Sequence, residues 1–417
     1  MRQEQNGAED RLCGLTVMHL AQPVEGGVAR VVADLADAQV RQGARVVVAC
    51  PPGGTLGAEA AARGARVVPW AARRPPGTSL AAETRAAAHV LGSVRPDLLH
   101  LHSAKAGLAG RLAARGRVPT VFQPHAWSYE AVRGPVGAAA VRWERYAARW
   151  AHRVLCVSAA ERDRGLLHGV LAEYAVVPNG VDTERFRPPR DRVAARAALP
   201  ALTAFAATPL PVGPTVPGQP LGHPRPGATG GARDGTPLVV CVGRLCPQKG
   251  QDVLLRAWPR VTERLPAARL ALVGDGPDLP RLLRDAPDGV LFAGPAADPL
   301  PWYQAADVAV QPSRWEGMAL APLEAMACGV PVVATDVAGA RESAPPDGGG
   351  AIVPPGDPAA LAAALLVLLT APARRAAAGR RALDHVRAHH DVRAATAAVS
   401  ALYADLLPRP ISEASAR

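Results

Sequence analysis

The chain has 417 residues, of which 49% are hydrophobic and 20% charged, and its formal net charge is +11. This length exceeds one ordinary domain, and the composition supplies a large core and excludes a chain that is mostly disordered. The positive charge favours anionic partners such as nucleotides, nucleic acid or acidic membranes, although it also fits arginines spread over solvated faces.

The first half of the chain alternates short β-rich runs with helical runs. In the predicted helix 28–42, apolar residues such as Val28, Val31 and Leu35 recur at helical spacing. This alternation predicts a parallel sheet covered on both faces. The predicted strands are 15–20, 45–50, 97–101, 119–122, 153–157 and 174–177.

The pattern stops at 200–237, where nine prolines and seven glycines leave no apolar period. This composition is typical of a flexible linker. Strand–helix alternation then restarts, with predicted strands 238–242, 269–273, 290–292, 307–310 and 331–334.

The sequence therefore predicts an α/β protein of two Rossmann-like, doubly wound domains that face each other across a deep cleft. Ligands of such sheets bind at the carboxyl ends of the strands. The predicted segments are an N-terminal domain (1–186), a linker with an insertion (187–237), a C-terminal domain (238–392), and a C-terminal helix returning to the first domain, followed by a tail (393–417).

The cysteines and the hydropathy of the sequence indicate in which cellular compartment the protein is expected. The six cysteines form no C-x-x-C pair, and no histidines stand at ligand spacing, so neither structural zinc nor a disulfide framework is indicated. The first 14 residues are polar and charged, and the longest uncharged apolar run, 359–369, is too short to span a bilayer. We expect a cytoplasmic protein.

Gly26 and Gly27 follow the first predicted strand and open a helix. Glycines let the backbone approach a ligand closely, and free N–H groups at a helix start favour an anion. The same residues are also typical of a tight strand–helix turn. Because no G-x-G-x-x-G is present, a nicotinamide or flavin enzyme is not favoured.

Arg244 and Lys249 follow the first strand of the second domain and are five residues apart across a turn. Two cations that converge on a diphosphate would form charge-assisted hydrogen bonds of about 1.5–3 kcal/mol each. Alternatively, they are solvated surface charges.

The third motif is a helix predicted at 319–328, with Glu316 just before it and Glu324 within it. The helix start offers N–H groups to a phosphate or a sugar hydroxyl. Apolar neighbours flank Glu324, and buried carboxylates are normally paired or functional. The alternative is an exposed Glu324.

Glu316 and Glu324 form the Glu-x7-Glu pattern of the retaining glycosyltransferases of family 4, which have the GT-B fold. The chain resembles this family from Gly26 to about Ala364, outside the linker insertion. Further signatures recur in the family's order: His100-Leu101-His102, His125-Ala126-Trp127, Val157-Ser158, Val177-Pro178-Asn179-Gly180-Val181-Asp182, Val242-Gly243-Arg244-Leu245, Gln248-Lys249-Gly250 and Val273-Gly274-Asp275-Gly276-Pro277.

The resemblance implies a retaining hexosyltransferase without a cofactor, which moves a sugar from a UDP-, GDP- or ADP-sugar to an acceptor hydroxyl. Such reactions build glycolipids, cell-envelope polysaccharides or secondary metabolites. Because no Asp-x-Asp motif is evident, we expect metal-independent transfer. Many relatives have Phe-Gly where this chain has Met318-Ala319, which leaves the donor sugar open.

The resemblance also implies that the first domain binds the acceptor and the second the donor sugar nucleotide, and it implies roles for single residues. Glu316 would bind hydroxyls of the transferred sugar, Glu324 the ribose, and His125 would position groups near the anomeric carbon. The implied catalytic residues are Glu316 and His125. The implied donor contacts are Gly26, Gly27, Arg244, Lys249, Gly317, Met318, Ala319, Leu320 and Glu324. The candidate acceptor contacts are His102, Lys105 and Trp127.

Three alternatives stay open at this point. A sugar-nucleotide epimerase would use the same two-domain architecture, whereas a nucleic-acid-binding protein would use the charge but lacks a recognised motif. A helix predicted at 138–154 has aromatic and arginine faces. That helix either lies on an anionic membrane at the inner face or packs on the sheet with a solvated basic face.

Overall fold

The computed structural model describes residues 12–73, 78–202 and 236–407. These residues pack as two units. The first unit contains the chain up to Asp182, the segment Trp315–Leu320 and the chain from His389 onward, and the second contains Thr183–Arg314 and Ala321–Ala388. Most of the predicted linker 200–237 lies outside the described residues.

The first unit is built on a seven-stranded parallel sheet with the strand order β3-β2-β1-β4-β5-β6-β7. Its central strands are buried on both faces, as expected for a parallel sheet covered by helices. The strands are β1 (Thr16–Ala21), β2 (Arg45–Cys50), β3 (Arg66–Pro69), β4 (Leu98–His102), β5 (Thr120–Gln123), β6 (Arg153–Cys156) and β7 (Tyr174–Val176). The helices are α1 (Gly26–Arg41), α2 (Leu56–Ala62), α3 (Leu80–Val94), α4 (Ser103–Ala114), α5 (Gly134–Ala147) and α6 (Ala159–Leu167).

The second unit has a six-stranded parallel sheet with the order β10-β9-β8-β11-β12-β13. The strands are β8 (Leu238–Val242), β9 (Arg269–Val273), β10 (Val290–Gly294), β11 (Val308–Gln311), β12 (Val332–Thr335) and β13 (Gly350–Val353). The helices from here on are α7 (Arg192–Ala197), α8 (Gln251–Arg264), α9 (Leu279–Arg284), α10 (Leu300–Ala305), α11 (Leu320–Ala327), α12 (Ala340–Ser343), α13 (Pro358–Leu369), α14 (Pro372–His389) and α15 (Val392–Leu406).

The last helix, α15, packs against α1 of the first unit. Its Val399 and Tyr403 are buried in the same apolar cluster as Val32 and Leu35 of α1. In α1, the buried positions include Ala29, Val32, Ala33, Leu35 and Ala36, which is the helical spacing that the sequence shows. This end of the chain therefore completes the core of the first unit.

The predicted α/β class and all eleven predicted strands are confirmed, each within two residues of its observed bounds. Two strands, β3 and β13, were not predicted. Both have four residues, lie at the edge of a sheet and are mostly half-buried or exposed. An edge strand that is not fully covered needs no continuous apolar run, so the pattern for it is weak.

The predicted helix 138–154 is wrong at its end. Helix α5 stops at Ala147, a 3-10 turn covers Ala148–Trp150, and β6 begins at Arg153. Arg153 and Val154 pair with β5 instead. Pairing inside the sheet outweighs a helical periodicity that is no more than a local preference.

Among the described residues, no single helix is long and apolar enough to cross a membrane. Helices α13 and α14 reach that length and hydropathy only as a pair, and they are bent by 100° relative to each other.

Candidate active site

Each sheet has one point at which the strand order reverses, between β1 and β4 in the first unit and between β8 and β11 in the second. Open parallel sheets bind ligands beyond the carboxyl ends of the strands at such a point. In the first unit, Gly26 and Gly27 follow β1 and His102 ends β4. In the second unit, Arg244 and Lys249 follow β8. The predicted residues thus stand where the topology favours binding.

Gly26 and Gly27 form the turn from β1 into α1. Gly26 has φ +75°, a left-handed conformation that glycine adopts without strain. No side chain caps the start of α1, so its first N–H groups suit an anion. A Cβ on Gly27 would lie 3.7 Å from Leu320, so this turn packs closely against the segment Trp315–Leu320 of the same unit.

Two buried side chains hold the segment Trp315–Leu320, which contains Glu316. Ser158 Oγ donates to the carbonyl of Gly317 at 3.1 Å, and Asn179 Nδ2 donates to the carbonyl of Met318 at 2.7 Å. Glu316 is itself buried, with 7% of its surface exposed. The signatures around Ser158 and Asn179 therefore fix the backbone that carries Glu316.

Gly317 stands where a larger residue would have to displace a buried side chain. A Cβ there would lie 2.9 Å from both Glu161 Oε1 and Val157 Cγ2, which is closer than such atoms pack without displacement. The glycine after Glu316 is thus explained by the close approach of the first unit's own backbone and side chains.

Glu161 is a buried carboxylate that sequence reasoning missed. It is 1% exposed, and its oxygens accept hydrogen bonds from the N–H groups of Ala126, at 2.6 Å, and Val157, at 2.8 Å. Its own N–H donates to Ser158 Oγ. The S-x-x-E pattern at 158–161 is typical of a helix cap and could have drawn attention to Glu161.

Through Ala126, Glu161 holds the turn that contains His125. Both His125 (φ +55°) and Ala126 (φ +99°) adopt left-handed backbone conformations, which are unfavourable for residues other than glycine. Such a conformation persists only where the surroundings enforce it. The charge-assisted bond to Ala126 N–H provides part of that enforcement.

His125 is a neutral imidazole at physiological pH. Burial lowers its pKa to about 3, and its Nε2 lies 3.2 Å from His102 Nδ1. The absence of a positive charge agrees with the predicted positioning role, which stays a prediction.

Sequence spacing also missed a three-histidine cluster beneath this turn. His19 of β1 faces His100 in the adjacent strand β4, and His102 lies two residues further along. All three are fully buried, and one ring nitrogen of each lies within 4.8 Å of the others. Burial lowers the pKa of His19 to about 4 and the pKa values of His100 and His102 well below the usual range. His19 and His102 are 83 residues apart in the sequence. No local sequence motif therefore predicts the cluster.

The three candidate acceptor residues lie in the interior. Lys105 Nζ donates to Glu83 Oε2 at 2.8 Å, with both side chains buried, and the Trp127 indole N–H donates to the carbonyl of Glu161 at 2.7 Å. His102 is bonded to two other histidines. Their polar groups thus form hydrogen bonds inside the first unit. Contact of these residues with the acceptor stays a prediction.

In the second unit, several hydrogen bonds fix the loop that contains Arg244 and Lys249. Gln251 Nε2 donates to the Arg244 carbonyl at 3.0 Å, and the Leu245 N–H donates to the Asp275 carbonyl. The Arg314 guanidinium binds Asp252 through two hydrogen bonds and also reaches the Pro247 carbonyl. A fixed loop presents its cations without a large ordering cost.

The two cations differ in exposure. Arg244 is exposed and Lys249 half-buried. Burial raises the pKa of the Cys241 thiol to about 12, and the nearby Lys249 ammonium partly offsets this rise. The lysine is therefore close to the end of β8, where the strand leads into the loop.

Glu324 is buried, with 8% of its surface exposed, so the exposed alternative is wrong. Its Oε2 accepts a hydrogen bond from the Tyr303 hydroxyl at 2.9 Å. Burial and the Glu324 carboxylate together raise the pKa of Tyr303, so the phenol stays protonated and keeps donating to the carboxylate.

Two family models match the chain. One, described as "Glycosyltransferase Family 4", covers residues 25–185, and the other, described as "Glycosyl transferases group 1", covers residues 236–371. Together with the two doubly wound sheets, these matches define a glycosyltransferase of the GT-B class. The chain belongs to glycosyltransferase family 4, which confirms the resemblance seen in the sequence.

Similar curated proteins are named as glycosyltransferases. A GDP-mannose-dependent alpha-(1-6)-phosphatidylinositol monomannoside mannosyltransferase of Mycolicibacterium smegmatis is 46% identical over 121 residues, which is 26% of this chain and 32% of the relative. The lipopolysaccharide core biosynthesis mannosyltransferase LpsB of Rhizobium meliloti is 34% identical over 42% of this chain and 45% of the relative. The matches thus span about a third to a half of these relatives.

Solved structures agree on the fold. HepE of Anabaena in complex with UDP and glucose has a TM-score of 0.75 at 21% identity, over 94% of this chain and 100% of that chain. Sucrose-phosphate synthase of Thermosynechococcus elongatus has a TM-score of 0.73 at 21% identity, over 94% and 99%. These matches confirm the predicted GT-B fold, and the named relatives give no support to an epimerase.

Proposed function

We propose that the protein is a retaining, metal-independent hexosyltransferase that moves a sugar from a nucleoside-diphosphate sugar to an acceptor hydroxyl. The observation that carries the proposal is the fixed loop after β8, which presents Arg244 and Lys249 at the point where the strand order of the second sheet reverses. Such a position binds nucleotides in doubly wound sheets.

The proposed mechanism depends on the negative charge that develops on the leaving group during sugar transfer. The leaving group is a nucleoside diphosphate, whose negative charge grows as the glycosidic bond breaks. Arg244 and Lys249 stabilise that charge more in the transition state than in the ground state, which is what accelerates a reaction. The acceptor oxygen attacks the same face of the sugar from which the phosphate leaves, and the phosphate oxygen takes the acceptor proton. His125, being neutral, positions groups without acting as a base.

The carboxylates complete the donor site. Glu324 binds the ribose hydroxyls, and its hydrogen bond with Tyr303 fixes its orientation. Glu316 binds hydroxyls of the transferred sugar. Since relatives of this chain are named as GDP-mannose-dependent, GDP and GDP-mannose are the first ligands to test, before UDP- and ADP-sugars.

Thermal unfolding with a panel of nucleoside diphosphates tests the donor site. At 100 times Kd, one nucleotide is expected to raise Tm by about 5–10 °C, because a ligand that binds only the folded state stabilises it by about 2.7 kcal/mol. The shift should vanish in the double variant Arg244→Ala/Lys249→Ala and persist in Arg260→Ala, which removes an exposed arginine of α8. A chain that responds to none of the nucleotides would refute the proposal.

We further propose that the enzyme binds an anionic membrane at the inner face, where a lipid-linked acceptor lies. The binding surface is formed by α5 and the end of α6, and consists of Arg142, Arg145, Tyr146, Arg149, Leu167 and Leu171; we term it the α5 surface. Relatives of the chain are named for phosphatidylinositol mannoside acceptors, which agrees with an acceptor of this kind.

Exposure and charge support this surface. Leu167 is 81% and Leu171 79% exposed, and apolar surface that is rimmed by polar residues is typical of protein or membrane interaction sites. The Arg145 guanidinium donates to the His168 carbonyl at 2.6 Å, which joins α5 to this leucine segment. Among the described residues, none of the three arginines forms an ion pair, so their charge is available to lipid phosphates.

Sedimentation with vesicles tests the membrane proposal. The protein is expected to bind phosphatidylglycerol vesicles and not phosphatidylcholine vesicles. Removing two cations in Arg142→Gln/Arg149→Gln should weaken binding about tenfold or more, at about 1 kcal/mol per arginine, and Leu167→Ser/Leu171→Ser should also weaken it. Leu283→Ser, at an exposed leucine of the second unit, is the matched control. Equal binding to both vesicle types, or no binding, contradicts the proposal.

A further inference from the structure

A hydrogen-bonded chain runs from α1 to the turn after β5. Gln39 Oε1 lies 2.8 Å from His19 Nε2, His19 Nδ1 lies 2.9 Å from His102 Nε2, and His102 Nδ1 lies 3.2 Å from His125 Nε2. Gln39, His19 and His102 are almost fully buried. Four side chains from four elements or loops are thus joined end to end.

Because the Gln39 amide oxygen faces His19 in this structure, the protons along this series of hydrogen bonds have one consistent arrangement. An amide oxygen only accepts hydrogen bonds, so His19 carries its proton on Nε2. A neutral imidazole has one N–H, which leaves His19 Nδ1 as an acceptor for the N–H at His102 Nε2. By the same reasoning, His102 Nδ1 accepts from the N–H at His125 Nε2.

The last ring nitrogen in this series of hydrogen bonds is Nδ1 of His125, which carries no proton because the one N–H of His125 is at Nε2. It is therefore a hydrogen-bond acceptor. The low pKa values that burial gives to His19 and His125 agree with neutral rings at each step.

We propose that Gln39 sets the tautomer of His125 through His19 and His102, so that His125 accepts a hydrogen bond from a substrate hydroxyl at Nδ1. Gln39, His19 and His102 are then positioning residues, because they act on the substrate only through His125. The substrate part of this inference rests on the proposed transferase function. The tautomer part rests on the hydrogen-bond geometry alone.

The order of donors matters for substrate recognition. If Gln39 donated from its amide nitrogen instead, each histidine would carry its proton on Nδ1, and His125 would offer an N–H. A substrate hydroxyl can pair with His125 in either arrangement by rotating about its C–O bond. If it accepts a hydrogen bond from an N–H of His125, its own O–H must donate to a different partner. In the order that the structure shows, the hydroxyl donates its hydrogen bond to Nδ1 and keeps its oxygen free for other contacts; it is therefore not the attacking hydroxyl, whose proton goes to the phosphate.

Nitrogen-15 NMR of protein labelled at histidine tests the proposal without any substrate, since the two ring nitrogens of a neutral histidine give distinct signals. His19, His102 and His125, assigned by single replacements, are each expected to carry the proton on Nε2 at pH 7.5. A proton on Nδ1 in any of the three overturns the proposal, and so does a metal ion bound to their nitrogens in the purified protein.

Replacement of Gln39 tests whether it acts as the anchor. In Gln39→Met, the two nitrogen signals of His125 should move towards each other, because both tautomers become populated. Gln42→Met, a change of the same kind directly after α1, is the matched control and should leave the signals in place. Unchanged signals of His125 in folded Gln39→Met overturn the proposal.

Kinetics then separate this inference from the proposed function. In Gln39→Met, kcat/KM for the acceptor is expected to fall about two- to tenfold, the value of one hydrogen bond, with KM for the donor unchanged. If the wild-type protein transfers no sugar, the proposed function fails while the tautomer result stands. If transfer occurs and Gln39→Met lowers the donor and acceptor parameters equally, the positioning role is overturned.

Discussion

A Glu316→Gln variant is expected to lower kcat/KM for sugar transfer by about 10²-fold while leaving the affinity for the nucleoside diphosphate within about twofold. The Glu316 carboxylate is buried, and Ser158 and Asn179 fix the segment around it. Hydrogen bonds from sugar hydroxyls to a carboxylate contribute about 1.5–3 kcal/mol each, which corresponds to 10- to 150-fold per bond. The amide keeps the volume of the side chain and loses the charge.

Lys249→Ala provides the contrast. Because Lys249 would contact the diphosphate, its loss should weaken nucleotide binding as well as transfer, whereas Glu316→Gln should affect transfer alone. Initial-rate kinetics with the donor varied, together with calorimetric titration of the nucleoside diphosphate, measure the two quantities separately. A Glu316→Gln enzyme with wild-type transfer, or one that loses nucleotide affinity as Lys249→Ala does, would show that Glu316 has another role.

The sequence predicts the parts of this molecule that depend on local patterns. Continuous apolar runs give the central strands, and glycines with cations or carboxylates after those runs give the candidate donor residues. The strand order places Arg244 and Lys249 at the reversal point of the second sheet, and their contact with the diphosphate stays a prediction. Strands β3 and β13 escape prediction because their apolar runs are only two and three residues long, bounded by Arg66 and Pro69 in β3 and preceded by Gly350 in β13.

What could not be predicted depends on contacts between distant segments. His19 and His102 meet only because β1 pairs with β4. Glu161 has the spacing of an ordinary helix cap, yet its carboxylate reaches back to Ala126, 35 residues earlier. Lys105 is a candidate ligand contact by sequence, and its partner Glu83 becomes evident only when α3 and α4 pack together. The roles of buried polar residues are thus the ones that could not be predicted from the sequence.

The buried histidines also determine how the stability of the first unit depends on pH. The folded pKa of His19 is lowered by burial to about 4, and those of His100 and His102 are well below the unfolded value of about 6.5. Below pH 6.5, the unfolded chain therefore binds protons that the folded chain excludes. Stability is complete above about pH 6.5 and is lost as pH falls towards the folded pKa values.

The expected magnitude is large. Between its unfolded and folded pKa values, a buried histidine such as His19 lowers the free energy of unfolding by about 1.4 kcal/mol for each pH unit, and His100, His102 and His125 act in the same direction. Carboxyl groups with pKa values raised by burial, such as Glu130 and Asp34, act in the opposite direction. The contribution of one histidine is therefore best measured as a difference between variants.

Urea unfolding of the wild type, His19→Gln and His89→Gln between pH 5 and 8 provides that difference. His19→Gln should reduce the slope of unfolding free energy against pH by about 1.4 kcal/mol per unit below pH 6.5, whereas His89→Gln, at an exposed histidine of α3, should leave the slope unchanged. An identical slope in all three proteins would mean that folding does not lower the pKa of His19, so that His19 is protonated in the folded state below about pH 6.5. A protonated His19 would donate from both nitrogens, so the arrangement of protons from Gln39 to His125 would then hold at pH 7.5 and fail at pH 5, which the tautomer measurement repeated at pH 5 would show.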